Sequence, residues 1–307
     1  MNLKRSIDIV CGALSLALAG LAIVCLVNPH RAQLYLADIF TLPALTATFG
    51  LAIVLWAARL PIARWAATAA AALFVMAIWP QAFPKQAAAD PTQKPVRVVF
   101  GNMLIRNDHP EKIVPWLDKE NPDVIAMVEV NPRAREAMMA TLQSTRPYVV
   151  TRYDMVVASR WPIADVRRGG VGFALINLTI KAPGGDFDLA VAHLTRPWPY
   201  SSPADQPRQF ARLSNAVKPV SGKRFVLVGD FNTPPCASGL RDFMRPLALH
   251  AAPAFFGTWP SPAPGLLRIN IDNAMASPDL IFRRRQTGPF DGSDHRPIVV
   301  DVYPAKP

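Results

Sequence analysis

Apolar residues follow two different patterns along the chain. Up to about residue 80 they run almost unbroken in three stretches, 7–27, 37–60 and 62–79. A helix needs roughly 20 mostly apolar residues to cross a bilayer. The first two stretches reach that length, and the third is shorter and Ala-rich from Ala66 to Ala72. A cleaved signal peptide fits the first stretch poorly, since two more apolar segments follow and no small-residue cleavage pattern ends it. Residues 1–80 are therefore read as a transmembrane region of about three helices, and the Pro- and Ala-rich residues 81–95 as a linker.

From Val96 onward the pattern changes to short β-branched runs separated by polar, helix-compatible stretches and Pro/Gly turns. Strands are predicted at 96–100, 124–128, 155–159, 174–180, 187–192, 225–228, 280–282 and 298–302. Helices are predicted at 111–120, 133–143 and 206–217, the last behind Pro203, Ala204 and Asp205 as its cap region. The turn Pro183-Gly184-Gly185 makes 174–180 and 187–192 a hairpin. Many short strands with interspersed helices predict an α+β domain over 96–307, two packed sheets flanked by helices.

Composition sharpens this division. The chain is 51% hydrophobic and 18% charged, with mean hydropathy +0.17, and the apolar excess lies in the first 80 residues. Lys4 and Arg5 precede the first stretch, and Arg59 and Arg64 lie between the second and third. Arg31 is alone in the intervening loop, and Lys85 begins the segment beyond the third stretch. Lys and Arg mark cytoplasmic loops, which predicts a multi-pass inner (plasma) membrane protein with residues after about 85 outside the cytoplasm. Asp8 and Asp38, at the span edges, are expected to face headgroups. The net charge of +11 reduces to +7 from residue 96 onward, 26 Lys and Arg against 19 Asp and Glu. That suits an anionic substrate or membrane surface and falls short of a dedicated DNA-binding face. The run Arg283-Arg284-Arg285 is read as a solvated loop, and Cys236 as a packed residue without a disulfide partner in the domain.

Candidate chemistry sits at the strand ends. Asn102 follows 96–100, Glu129 closes 124–128, and His193 closes 187–192. Asp230 and Asn232 follow 225–228, Asp294 and His295 precede 298–302, and Asp272 lies between apolar residues. A strand end is a rigid platform for converging side chains. Glu, Asp, Asn and His without Cys form the ligand set of a hard divalent cation such as Mg²⁺ or Mn²⁺. Such a site stabilises charge on phosphorus while a carboxylate or imidazole deprotonates water.

In order and spacing, Asn102, Glu129, His193, Gly229-Asp230-Phe231-Asn232, Ile271-Asp272 and Ser293-Asp294-His295 resemble the endonuclease/exonuclease/phosphatase superfamily. That superfamily includes DNase I, abasic-site endonucleases, neutral sphingomyelinases and inositol-polyphosphate phosphatases. The match covers about 96–303, and three preceding spans with Gly257-Thr258-Trp259-Pro260 resemble its bacterial membrane members. The resemblance implies a four-layer α/β/β/α sandwich of the DNase I-like type behind the transmembrane region. It implies Glu129 as principal Mg²⁺ (or Mn²⁺) ligand, with Asn102 beside it on metal water or phosphate. His193 would contact phosphate or the leaving group, Asp230 would orient or deprotonate the attacking water, and Asn232 would hold water or phosphate. His295 would contact phosphate or act as base. Asp294 is either a second metal-side carboxylate or the partner that orients His295, and Asp272 fits the orienting role equally well. Asn273 stands where the family often carries His or Tyr. Trp198-Pro199-Tyr200 is read as a packed turn, and Arg208 with Gln209 as a solvated helix face.

The implied activity is Mg²⁺-dependent hydrolysis of a phosphodiester or phosphomonoester at a membrane, the substrate being a lipid headgroup or nucleic acid and no protein partner being expected. The alternatives are a nuclease acting outside the cytoplasm and a non-catalytic scaffold of the same fold. Three spans without an intramembrane charge pair argue against a transporter.

Overall fold

The computed structural model describes residues 3–27, 34–169, 172–197 and 205–306. The predicted turn Trp198-Pro199-Tyr200, together with Arg31, Pro203 and Ala204, lies outside the described residues.

The apolar N-terminal quarter forms three helices, α1 (Leu3–Val27), α2 (Thr41–Ala57) and α3 (Pro61–Ala82). A 3-10 segment, Leu34–Phe40, leads into α2. α1, α3 and the continuous stretch Leu36–Ala57, which joins the 3-10 segment to α2, are long and apolar enough to cross a membrane, with mean hydropathies of 2.6, 1.6 and 1.9. Small residues let them approach closely: Ala63, Ala67, Ala70 and Ala77 of α3 are buried in the bundle. Asp8 does not face headgroups as expected. It is buried, and its carboxylate accepts the N–H groups of Ile62 and Ala63 at 3.1 and 2.9 Å. It thus satisfies the start of α3, where the chain itself supplies no side-chain cap.

The remainder comprises β1 (Val96–Asn102), α4 (Val114–Glu120), β2 (Val124–Val128), α5 (Pro132–Thr145), β3 (Tyr148–Arg152), β4 (Met155–Ser159), β5 (Ile163–Gly169), β6 (Ala174–Ile180) and β7 (Phe187–His193). There follow α6 (Asp205–Val217), β8 (Phe225–Asp230), α7 (Ser238–Met244), β9 (His250–Ala251), β10 (Asp272–Ala276), β11 (Leu280–Thr287) and β12 (Ile298–Pro304). They build two six-stranded sheets, ordered β11-β12-β1-β2-β4-β3 and β5-β6-β7-β8-β10-β9. Alternation along the strands sorts the side chains into layers. Val98, Phe100, Val124 and Ala126 meet Val191, Val226 and Val228 between the sheets. On the outer faces, Val99, Ile125 and Met127 pack on Ile113, Leu117 and Met138, while Ala190 and Leu227 pack on Phe210, Leu213 and Phe243. The result is the expected four-layer α/β/β/α sandwich.

The predicted helix at 111–120 is a 3-10 turn, Pro110–Ile113, followed by α4. The predicted strand at 280–282 continues to Thr287 because it pairs with β12 along its length. This places the arginine run inside a strand. Arg284 pairs with Glu120 at 2.8 Å, and Arg285 donates to the carbonyl of Asp272 at 3.1 Å, which corrects the solvated-loop reading.

The domain rests on one end of the helical bundle. Asp38, buried instead of facing headgroups, accepts the N–H of Ser238 at 2.7 Å. Leu42 and Ile78 enclose Cys236, and the Ala254 N–H donates to Gln81 at 3.0 Å. Burial pushes the Cys236 thiol up to about 12, consistent with a packed residue.

Candidate active site

The pairing of the strands decides which polar ends meet. In the second sheet His193 pairs with Asp230 across β7 and β8, and Asp230 pairs with Asp272 across β8 and β10. Three of the candidate groups thereby form a row on adjacent strands. In the first sheet Asn102 pairs with Val128, which brings Asn102 beside Glu129. The stacking of the sheets closes the remaining gap: Asn102 Nδ2 donates to Glu129 Oε1 at 2.9 Å and to Asp230 Oδ2 at 3.1 Å.

Glu129 and Asn232 both leave their strands in the left-handed region, with φ of 55° and 50°. Asn tolerates that conformation; for Glu it costs roughly 1–2 kcal/mol. The turn aims the Glu129 carboxylate at the site, where Oε2 accepts the Ile105 N–H at 3.1 Å and Oε1 lies 3.5 Å from His193 Nε2. Burial raises the Glu129 carboxyl. The Asn102 amide, the Ile105 N–H and the charges of His193 and His295 outweigh that and hold it below the ordinary carboxylate range. Asn232 donates from Nδ2 to the Leu194 carbonyl at 2.8 Å, and its own N–H donates to Asp230 Oδ1 at 2.9 Å.

Asp230 is buried and faces a second carboxylate. Burial and the Asp272 charge push its carboxyl up to about 6, against the opposing effect of His295 and His193. Asp272 is completely buried, and its Oδ2 lies 2.8 Å from His295 Nδ1 while Oδ1 has no hydrogen-bond partner. Of the two carboxylates considered for orienting His295, Asp272 therefore makes the hydrogen bond. Asp294 lies at the other ring nitrogen, 3.8 Å from Nε2, and accepts the Trp259 indole N–H at 3.0 Å. Burial disfavours the His295 cation, but Asp272, Asp230 and Asp294 together raise the imidazole to about 10. His193, about one-fifth exposed, lies 3.8 Å from Asp230.

Glu129, His193, Asp230 and Asn232 line an open pocket of about 290 Å³. Its oxygen-rich donor set fits a hard divalent ion. Among the described residues, Asp230, Asp272 and His295 also form a grouping whose ligand atoms lie within 4.8 Å of one another. Two of these already bond to each other, so the Glu129 side offers the better donors.

Several supports escaped the sequence reading. Gln209 is not on a solvated face: it is buried and its Oε1 accepts the Thr195 N–H at 2.9 Å. Gln206 is also buried and donates to the Phe231 carbonyl at 3.3 Å. α6 thus fixes the two loops carrying His193 and Asn232, while Arg208 does point outward and pairs with Asp205. Ser293 donates to the Asn102 carbonyl at 2.7 Å and accepts the His295 N–H at 3.1 Å, tying β1 to the His295 turn. A serine before Asp-His was visible in sequence, but nothing there marked its partner.

Comparison with solved structures agrees with this architecture. An endonuclease/exonuclease/phosphatase from Bacteroides vulgatus superposes with a TM-score of 0.56 at 15% identity, covering 69% of this chain and 100% of that one. The human Nocturnin catalytic domain with bound sulfate gives 0.55 at 17% identity, covering 74% and 100%. A Staphylococcus aureus beta toxin variant with bound magnesium ions gives 0.53 at 15% identity, covering 70% and 100%. No curated protein matches the sequence. The sequence model of the Endonuclease/Exonuclease/phosphatase family matches residues 99–295, a span that holds all the site residues described above. This chain therefore belongs to the endonuclease/exonuclease/phosphatase family of phosphoester-hydrolysing enzymes, with the DNase I-like fold.

Proposed function

We propose that the chain is a membrane-anchored, Mg²⁺-dependent phosphoesterase in which water attacks the phosphorus of a mono- or diester. The observation that carries this reading is the meeting of Asp230, raised to about 6, with Glu129 and His193 at one open pocket, with the Asp272–His295 pair buried directly behind Asp230. A divalent ion held by Glu129, with Asn102 alongside, would offset the charge of the phosphate and of the developing transition state. Asp230 is poised near neutrality to orient a water molecule and accept its proton. His295, held as a cation by Asp272, donates toward phosphate oxygens, and Asp294 supports its outer nitrogen. His193, partly exposed on the pocket wall, faces the leaving oxygen, and Asn232 presents its amide there too.

The same reading divides the chain into a transmembrane region, 1–80, a linker, 81–95, and a catalytic domain, 96–307. The domain rests on the bundle end opposite Lys4, Arg5, Arg59 and Arg64. The excess of positive charge at that far end supports an extracytoplasmic domain on an inner (plasma) membrane. Alkaline phosphatase fused to the C-terminus is expected to be active, and an inactive fusion would reverse the orientation.

The test of activity uses the full chain in lipid nanodiscs with Mg²⁺ or with EDTA. Its substrates are an aryl phosphodiester, an aryl phosphomonoester, phospholipids and plasmid DNA. Expected are Mg²⁺-dependent turnover and its loss in Glu129→Gln and His295→Ala. Turnover confined to DNA would favour the nuclease, and Mg²⁺ binding without turnover would favour a scaffold.

A further inference from the structure

A second cavity, of about 220 Å³, adjoins the reaction pocket and shares Asn232 and Arg196 with it. Its remaining walls are apolar. Trp259, Ile269 and Ile271 come from the domain, while Leu36, Ile39 and Phe40 come from the 3-10 segment leading into α2. That segment is fixed in place: Ile39 packs on Ile269 and Ile271, and Asp38 accepts the Ser238 N–H. An apolar cavity of roughly 150 Å³ accepts a benzene, so this one holds a run of several carbons. At the seam between the cavities, the Arg196 guanidinium lies over the Trp259 ring at 5.7 Å.

A separate observation fixes the depth of this opening. Leu266 accepts a hydrogen bond from Thr46 Oγ1 at 2.8 Å, five residues into α2 and so roughly 7–8 Å along its axis. Leu266 and Leu267 are nonetheless exposed, as are Phe40, Phe83, Phe255 and Phe256. Phe83 packs on Phe255 at 5.5 Å and on Trp79 at 4.4 Å. A collar of exposed aromatic and aliphatic groups around the base of a domain, where long apolar helices end, has the composition of a membrane-interface belt. Such a belt would put the apolar cavity at the boundary between headgroups and acyl chains.

We propose that this cavity is a subsite for the hydrocarbon adjoining the phosphate of a membrane lipid. The substrate is then an amphiphilic phosphoester taken directly from the bilayer, and the 3-10 segment Leu34–Phe40 forms part of its binding site. The inference rests on the phosphoesterase reading and adds the substrate class. A nucleic acid would leave the apolar wall without an occupant.

The first arm of the test does not depend on turnover. The full chain is placed in nanodiscs of phosphatidylglycerol, phosphatidylethanolamine or phosphatidylcholine, each carrying a small fraction of the same lipid with a diazirine near the ester end of one acyl chain. After irradiation, peptide mass spectrometry is expected to find adducts on Leu36, Ile39, Phe40, Trp259 or Ile269. Adducts confined to the outward faces of the three helices in all three lipids would overturn the proposal. The second arm compares kcat/KM for long-chain and short-chain esters of one headgroup. Ile39→Trp fills the cavity and is expected to lower that ratio at least about tenfold, the worth of two buried methylene groups. An unchanged ratio would overturn the subsite. An aryl ester hydrolysed without any chain-length preference among lipids would remove the subsite and leave the phosphoesterase. Cavity adducts with no ester hydrolysed would do the reverse.

Discussion

Asp272→Asn isolates the charge of the orienting carboxylate while keeping its volume. In the wild type, Oδ2 holds His295 Nδ1 at 2.8 Å, and the side chain is completely buried opposite Asp230. Two effects oppose each other. Losing a hydrogen bond to a charged imidazole costs about 1.5–3 kcal/mol. Removing the like charge relieves Asp230, whose carboxyl is raised from 3.8 to about 6 first by burial and then by Asp272, so the relief is a fraction of about 3 kcal/mol. Net stability should therefore change by no more than about 2 kcal/mol. Catalysis has no such compensation, because the imidazole loses the group that fixes its orientation. Where a carboxylate–imidazole pair has been dissected, that loss reaches about 10⁴ in kcat. For the Asp272 variant a fall of roughly 10²–10⁴ is expected, against less than about tenfold for Asp294→Asn. The assay is saturating Mg²⁺-dependent hydrolysis by the full chain in nanodiscs, with thermal unfolding run in parallel. A kcat within about threefold of wild type, or a larger loss in the Asp294 variant, would refute the pairing.

Three further outcomes follow from other parts of the molecule. Asp291 is buried with Oδ2 unpartnered, and burial pushes its carboxyl up from 3.8 to about 6 despite the Ser293 N–H. A raised acid favours folding in its protonated form, so the penalty is absent below pH 3.8 and grows until pH exceeds 6. Asp291→Asn should thus gain about 2–3 kcal/mol over wild type between pH 4 and pH 7 in chemical denaturation, and a pH-independent difference would contradict this. A Cβ at Gly229 would lie 2.2 Å from the Ala192 carbonyl oxygen, so Gly229→Ala should destabilise by about 1–3 kcal/mol or more and disturb the His193–Asp230 register. An unchanged melting temperature would show that the strands separate at little cost. Glu129→Gln should weaken Mg²⁺ binding at least about tenfold by calorimetry, beyond the effect of His295→Gln. Equal losses would move the ion to the Asp230–Asp272–His295 grouping.

The legible parts of this chain were those where local pattern and tertiary structure agree. Val98, Val124, Val226 and Val300 advertise strands because the same β-branched residues fill the layer between the sheets. β10 was missed because Asp-Asn-Ala-Met-Ala lacks that signal; its partner β8 holds it in the sheet. The choice between Asp272 and Asp294 was undecidable along the chain. It depends on which strand lies behind His295, a fact of sheet order. Asp8 and Asp38 looked like surface charges at span ends, yet each finds backbone N–H groups on a distant segment. Gln206 and Gln209 carry no motif, and their value lies in the two loops they hold. The apolar cavity joins Leu36 to Ile271, and no local pattern encodes such a pairing.

The left-handed turn at Glu129 has a consequence for anyone selecting better-behaved variants. Glycine at that position removes the steric penalty, of order 1 kcal/mol, but leaves the Asn102 amide and the Ile105 N–H without their acceptor, an opposing loss of about 1–3 kcal/mol. It also deletes the carboxylate. A library screened for heat resistance or expression therefore sees Glu129→Gly as close to neutral and passes copies that lack the proposed metal ligand. Screens on this scaffold should read turnover first and stability second.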